Sequence, residues 1–102
     1  MALKIVWTPQ AEKGLKKVLT YLEEEWTEME ILQLENNLRK FLAHINKYPE
    51  MYPETEIHKN VRKGLVDKNN YIIYRVNSEK GIIELINFRG TKQKPENTDS
   101  KA

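Results

Sequence analysis

The hydrophobic positions change period twice along the chain. Leu3, Ile5 and Trp7 flank Lys4 and Val6, the alternation of a strand whose two faces meet different surroundings. Thr8-Pro9 stops the strand and starts a helix. Thr8 suits the N-cap, and Pro9 suits the first helical position, where its missing N–H costs nothing. From Pro9 to about Glu25, the residues Ala11, Leu15, Val18, Leu19, Leu22 and Trp26 follow the three-and-four spacing of a helix with one buried face. Lys13, Lys16, Lys17, Glu23 and Glu24 fall mainly off that face. Gly14 interrupts the pattern, since a helix-interior glycine costs about 1 kcal/mol against alanine. Thr27 to Glu30 reads as a capping box, with Thr27 and Glu30 each accepting from the other's backbone N–H. It opens a second helix, about Glu28 to Asn46, with the stripe Ile31, Leu34, Leu38, Phe41, Leu42 and Ile45. The very short link makes the two helices an antiparallel hairpin. Leu15, Leu19, Leu22, Leu38, Phe41 and Ile45 are the residues expected between that hairpin and a sheet.

Tyr48-Pro49 and Tyr52-Pro53 end the second helix, because proline lacks the amide donor and restricts the residue before it. The loop runs to about Lys59. Three strands follow, Val61 to Val66, Tyr71 to Val76 and Ile82 to Phe88, rich in β-branched and aromatic residues and joined by turns of Asp, Asn, Ser and Gly. The links are short enough for an antiparallel meander. The expected fold is α+β, in the order β-α-α-β-β-β, with a small antiparallel sheet packed against an N-terminal helical hairpin. One hairpin covers one face of a sheet, so the other face is expected to be partly open. Residues 1–95 form the expected domain, and 96–102 a flexible polar tail.

Charge adds a direction to this picture. Residues 1–57 hold seven Lys/Arg against ten Asp/Glu, whereas residues 58–102 hold ten against five. A positive face on the later strands favours polyanions or acidic partner segments, although uneven solvated charge produces the same numbers. The absence of cysteine excludes disulfides and thiolate zinc sites. No apolar run is long enough to span a membrane, and the quickly charged N-terminus does not read as a signal peptide, so a cytoplasmic protein is expected. Neither a metal site nor a cofactor is expected.

Candidate chemistry is sparse. Glu23, Glu24, Glu25, Glu28 and Glu30 gather at the helix junction, where they read as solvent-facing or capping residues rather than an acid–base pair. His44 lies near the end of the second helix. His58, just before Lys59 and Arg62, is a candidate general base or phosphate donor, or else an exposed loop histidine. The informative cluster is basic: Lys59, Arg62, Lys63, Arg75, Arg89, Lys92 and Lys94. If Arg62 shares a strand face with Arg75 and points away from the helices, the open face presents several guanidinium groups, with Tyr71, Tyr74 and Phe88 as stacking surface. The alternative is that these cations only solubilise the sheet and protect its edges.

Three segments resemble the RelE/ParE superfamily of toxins from type II toxin–antitoxin systems. They are IVWTPQAEKGLKKVLTYLEEEW, YPEMYPETEIHKNVRKGLVDKNNYIIYRV with its Tyr71-Ile72-Ile73-Tyr74 strand, and the basic exit IIELINFRGTKQKP. The likeness covers about residues 3–95, and it rests on the order and spacing of motifs that are each weak. It implies a small sheet embraced by a helical hairpin, a cognate antitoxin as partner, and a possible toxin–antitoxin hetero-oligomer. Two activities are known on this fold. RelE-like members cleave messenger RNA on the ribosome with basic residues, often with a Tyr or His near the C-terminus; ParE-like members bind DNA gyrase and block replication. Arg62 matches the basic position at the start of the family's second strand, and Arg89 the region of its late catalytic arginine. GTKQKPENTDSKA carries no Tyr or His, and Lys92 stands where ParE-like sequences often have arginine before Gln-x-Pro. The resemblance therefore implies a ParE-like gyrase inhibitor, and together with the basic cluster it makes Arg62, Arg75, Arg89 and Lys92 the expected target-binding residues. The alternatives are a ribosome-dependent endoribonuclease using His58, Lys59, Arg62 and Arg89, and a non-toxic binding module on the same fold.

Overall fold

The computed structural model describes residues 3–25, 28–56 and 58–90. The elements run β1 (Lys4–Trp7), α1 (Pro9–Glu25), α2 (Glu28–Lys47), β2 (Val61–Asp67), β3 (Asn70–Asn77) and β4 (Ile82–Gly90). Trp26 and the Thr27 half of the expected capping box lie outside the described residues, as do Lys92 and the expected tail. None of the helices of the described residues is long and apolar enough to cross a membrane.

The four strands form one sheet in the order β1-β4-β3-β2. β2, β3 and β4 are the expected antiparallel meander, but β1 joins β4 in parallel, so the sheet is mixed rather than wholly antiparallel. A parallel pair needs a long crossover. Here the whole helical hairpin and two strands separate β1 from β4 in sequence, which permits it. Thr8 secures the junction. Its hydroxyl caps α1 by accepting from the Ala11 N–H at 3.2 Å, and it lies 2.7 Å from the Leu85 carbonyl, to which it donates. The β3–β4 register steps past Ile86 at that point, a bulge beside the cap. At the other end of β1, the Asn46 side chain on α2 accepts from the Leu3 N–H at 3.0 Å and donates to the Leu3 carbonyl at 2.8 Å, as a further strand would.

The core lies between the hairpin and one sheet face. Ile72, Tyr74, Ile83, Leu85 and Phe88 from the strands meet Ala11, Val18, Leu34, Phe41 and Ile45 from the helices, all buried. Each large side chain of this kind contributes about 1.5–3 kcal/mol. Leu15, Leu19, Leu22 and Leu38 flank this cluster half-buried. The reason for Gly14 is now visible: a Cβ built there collides with the Phe88 carbonyl oxygen, so α1 approaches the backbone of β4 too closely for any side chain.

The Tyr-Pro loop is locked onto the β2 side of the sheet. The Tyr52 ring stacks on Phe41 with centroids 5.3 Å apart and covers Gly64, where a Cβ would fall 2.6 Å from the ring. The Tyr74 hydroxyl donates to the Pro49 carbonyl at 2.9 Å. Thr55 N–H donates to the Val61 carbonyl at 2.7 Å, and Lys63 N–H to the Pro53 carbonyl at 3.3 Å, so the loop pairs with the outer edge of β2. Asn60, with φ 65°, makes the return, its N–H held by the Glu54 carboxylate at 2.9 Å. Burial pushes the Tyr74 phenol up to about 12 from its ordinary 10.0, while the nearby Arg62 charge opposes that rise.

Two outcomes follow from this packing. Gly14→Ala, which gains helix propensity on an exposed helix, will destabilise this protein by about 1–3 kcal/mol in denaturant melts through the clash with Phe88. The raised phenol pKa makes the unfolded chain lose the Tyr74 proton first as pH rises, so its contribution is complete below pH 10.0 and falls away towards pH 12. Wild type will lose more stability than Tyr74→Phe across that window, read from paired melts at each pH.

Candidate functional site

Strand alternation decides which side chains reach the uncovered face. The buried residues of β3 are Asn70, Ile72 and Tyr74, so Tyr71, Ile73 and Arg75 project from the opposite side. Register carries this across the sheet: Lys63 stands opposite Ile73 and Leu65 opposite Tyr71 on β2, while Arg89 stands opposite Tyr71 and Glu84 opposite Arg75 on β4. The open face therefore holds three cations, Lys63, Arg75 and Arg89, and one carboxylate, Glu84, on these three strands.

Arg62 is not among them. It stands opposite Tyr74, on the helix side, one residue out of phase with Arg75. Its side chain is only 15% exposed. Nη1 donates to the Tyr52 carbonyl at 2.6 Å and more weakly to that of Glu50 at 3.5 Å, and Nη2 lies 3.8 Å from the Glu54 carboxylate. Its Nε is buried without a hydrogen-bond partner. The expectation that Arg62 and Arg75 share the open face thus fails for a simple reason: a side-chain period of two sends Arg62 and Lys63 to opposite faces. Arg62 braces the Tyr-Pro loop. Tyr74 and Phe88, named as stacking surface, are likewise buried in the core.

Lys63 takes the place expected of Arg62, and its ammonium sits 4.3 Å from the centroid of the Tyr71 ring. The signal for this was present in the sequence. Tyr71 and Tyr74 cannot both face one side, and once Tyr74 is assigned to the core, pairing register sends Lys63 outward. Arg75 and Arg89 share the open face but lie near opposite ends of it, since four strand steps between Tyr71 and Arg75 span about 14 Å.

The four residues of the nuclease alternative are not brought together. His58 and Lys59 are exposed on the loop entering β2, at the Arg75 end of the sheet. The His58 N–H donates to the Thr55 hydroxyl at 3.3 Å. Arg62 is on the other face, and Arg89 is at the far end. Among the described residues, no three His, Cys, Asp or Glu side chains gather as metal ligands.

A second feature lies on the helices. Leu15 and Leu19 of α1, with Leu34, Leu38 and Leu42 of α2, line an open apolar groove of about 320 Å³, bordered by Glu35 and Arg39.

Comparison with known proteins agrees with this architecture. The fold is similar to an arginine-to-alanine double mutant of the E. coli toxin RelE in the free state, at 16% identity, TM-score 0.61, covering 90% of this chain and 86% of that one. It is similar to a chain of the E. coli DinJ–YafQ toxin–antitoxin complex, at 12% identity and TM-score 0.61, covering 88% and 93%. It is also similar to the Helicobacter pylori protein HP0894 in solution, at 14% identity and TM-score 0.57, covering 89% and 97%. A comparison with curated protein sequences gave no significant match. The model of the ParE toxin of type II toxin–antitoxin systems, parDE, matches residues 5–95, nearly the whole chain, and the protein therefore belongs to that toxin family.

Proposed function

We propose that this toxin acts in the cytoplasm by docking its open sheet face onto DNA gyrase, without nuclease chemistry, and that a cognate antitoxin neutralises it in a hetero-oligomeric complex. The observation that carries the reading is the dispersal of the candidate nuclease residues. Cleavage of RNA needs a group to activate the 2′-hydroxyl, another to protonate the leaving oxygen, and charge around the phosphate, all within hydrogen-bond reach of one substrate. His58, Lys59, Arg62 and Arg89 lie on two faces and two ends of the sheet. Docking asks less. It needs a stable surface with exposed charge and anchoring side chains, which Arg75 and Arg89 begin to supply. Lys92 joins them in this reading from the chain following β4. The leucine-lined groove between α1 and α2 suits an apolar antitoxin segment, and the cations of the open face suit its acidic side chains.

The competing reading is a ribosome-dependent messenger RNA endonuclease, which Tyr71 between Lys63 and Arg89 keeps in play, since a phenol among cations is a candidate proton-transfer group. Purified toxin should inhibit gyrase supercoiling and leave ribosome-bound messenger RNA intact, and His58→Ala should arrest growth as well as wild type. Codon-specific cuts in ribosome-bound messenger RNA, lost on His58→Ala or Tyr71→Phe, would replace gyrase docking by the nuclease reading.

Arg62 separates scaffold from surface. Arg62→Ala should lower stability by about 1–3 kcal/mol, because two loop carbonyls lose a charged donor. The double variant Arg75→Glu, Arg89→Glu should melt within about 1 kcal/mol of wild type, the cost coming from the like charge set opposite Glu84, yet lose growth arrest and bind antitoxin more weakly. Equal arrest by the double variant in an expression assay would remove the open face from the mechanism.

A further inference from the structure

One half of the open face is more than a set of cations. Two adjacent cross-strand rows occupy it: Leu65, Tyr71 and Arg89 in one, Lys63, Ile73 and Asn87 in the other. These six positions hold two cations and no carboxylate. Glu84 belongs to the other half, opposite Arg75. Leu65 is 56% exposed, although it lies in the middle of a strand. A single exposed leucine needs no explanation. Here it is directly paired with Tyr71 and lies on the same face as Ile73, so the apolar positions are contiguous across two strands. The cations flank them, Lys63 on β2 and Arg89 on β4.

We infer that this half-face is a docking patch for an acidic polypeptide segment that inserts an apolar side chain beside Leu65, Tyr71 and Ile73 and sets carboxylates against Lys63 and Arg89. The inference rests on the protein-docking reading above and specifies the chemistry of the partner. Two observations favour polypeptide over nucleic acid. First, Lys63 already covers one face of the Tyr71 ring at 4.3 Å, so a base stacking there must displace an ammonium from its cation–π contact. Second, a phosphate chain gains nothing from Leu65, whereas an apolar anchor ringed by opposite charge is how protein interfaces are built, with Tyr and Arg enriched at their centres. The diagonal placement of Lys63 and Tyr71 across β2 and β3 also presents the pair preformed, which lowers the ordering cost of binding.

The test uses the full chain with methyl-labelled Leu and Ile, followed by NMR. One probe is a short synthetic peptide alternating Glu with Leu; the other is a single-stranded oligouridylate of equal charge. The peptide should shift the Leu65 and Ile73 methyls saturably, with affinity falling as salt is added. Leu65→Asp and Lys63→Glu should each weaken it about tenfold or more, while Lys40→Glu on α2 leaves it unchanged. Both altered positions are exposed, and unchanged melting will show that the fold is intact. Tighter binding of the oligouridylate at Leu65, or equal peptide affinity in Leu65→Asp, overturns the inference. A third arm measures purified gyrase. Where wild type binds gyrase, loss of that binding in Leu65→Asp supports the patch, and undiminished binding by the variant overturns it. Peptide binding at Leu65 without any gyrase binding by wild type supports the patch and refutes gyrase as the target.

Discussion

Tyr74 is fully buried at the centre of the sheet, edge-on to Phe41 at 6.3 Å, with its hydroxyl on the Pro49 carbonyl. The rest of the molecule takes its orientation from that residue. With Tyr74 committed to the helix side, every odd position from Tyr71 to Arg75 must face outward, and pairing transmits the choice to β2 and β4. The same hydroxyl ties down the loop that protects the edge of β2. A buried phenol needs a partner, and a backbone carbonyl in a tight proline turn is one that cannot swing away. The core, the edge and the composition of the open face are thus consequences of one side chain's placement.

The neighbouring cations Arg62 and Lys63 divide between the two tasks that such a sheet imposes. Inside, Nη1 of Arg62 reaches the carbonyls of Glu50 and Tyr52 while Nη2 lies near the Glu54 carboxylate, a spread of donors over two nitrogens that the single ammonium of lysine does not present. Outside, a single mobile ammonium on a long apolar stem suffices to lie over Tyr71. Exchanging the two residues would leave composition and net charge unchanged and would harm both tasks. A basic cluster counted from sequence therefore says little about a surface until each cation has been assigned a face.

Much of the architecture is legible in the sequence because it rests on short-range rules. Thr8-Pro9 announces a cap, the three-and-four stripe through Leu34, Phe41 and Ile45 announces a buried helix face, and the repeated Tyr-Pro pairs announce the end of α2; all three are found as expected. Less legible are features set by distant partners. Parallel pairing of β1 with β4 depends on where the hairpin deposits the chain, and Gly14 reads as a defect until Phe88 is seen beside it. The open face is partly legible. Arg75 and Arg89 lie on it as expected, whereas Arg62 does not, because Val61 and Val66 flank the strand with apolar residues of opposite phase and hide the alternation.

The arrangement also separates what the fold needs from what its surface offers. The hairpin covers one face so completely that Ile72, Ile83 and Leu85 are fully buried, while Lys63, Leu65, Arg75 and Arg89 on the opposite face stay exposed. Substitutions at Lys63, Leu65, Tyr71, Arg75 or Arg89 leave the core contacts in place, so the same scaffold tolerates very different surfaces. That freedom explains how a chain can keep this fold at 12–16% identity to its structural neighbours. It also means that a shared fold does not identify a shared target. On one half of the open sheet face an exposed leucine is paired with a tyrosine already held by a lysine. Such a surface is poorly suited to solvent and well suited to a partner that supplies both an apolar group and opposite charge.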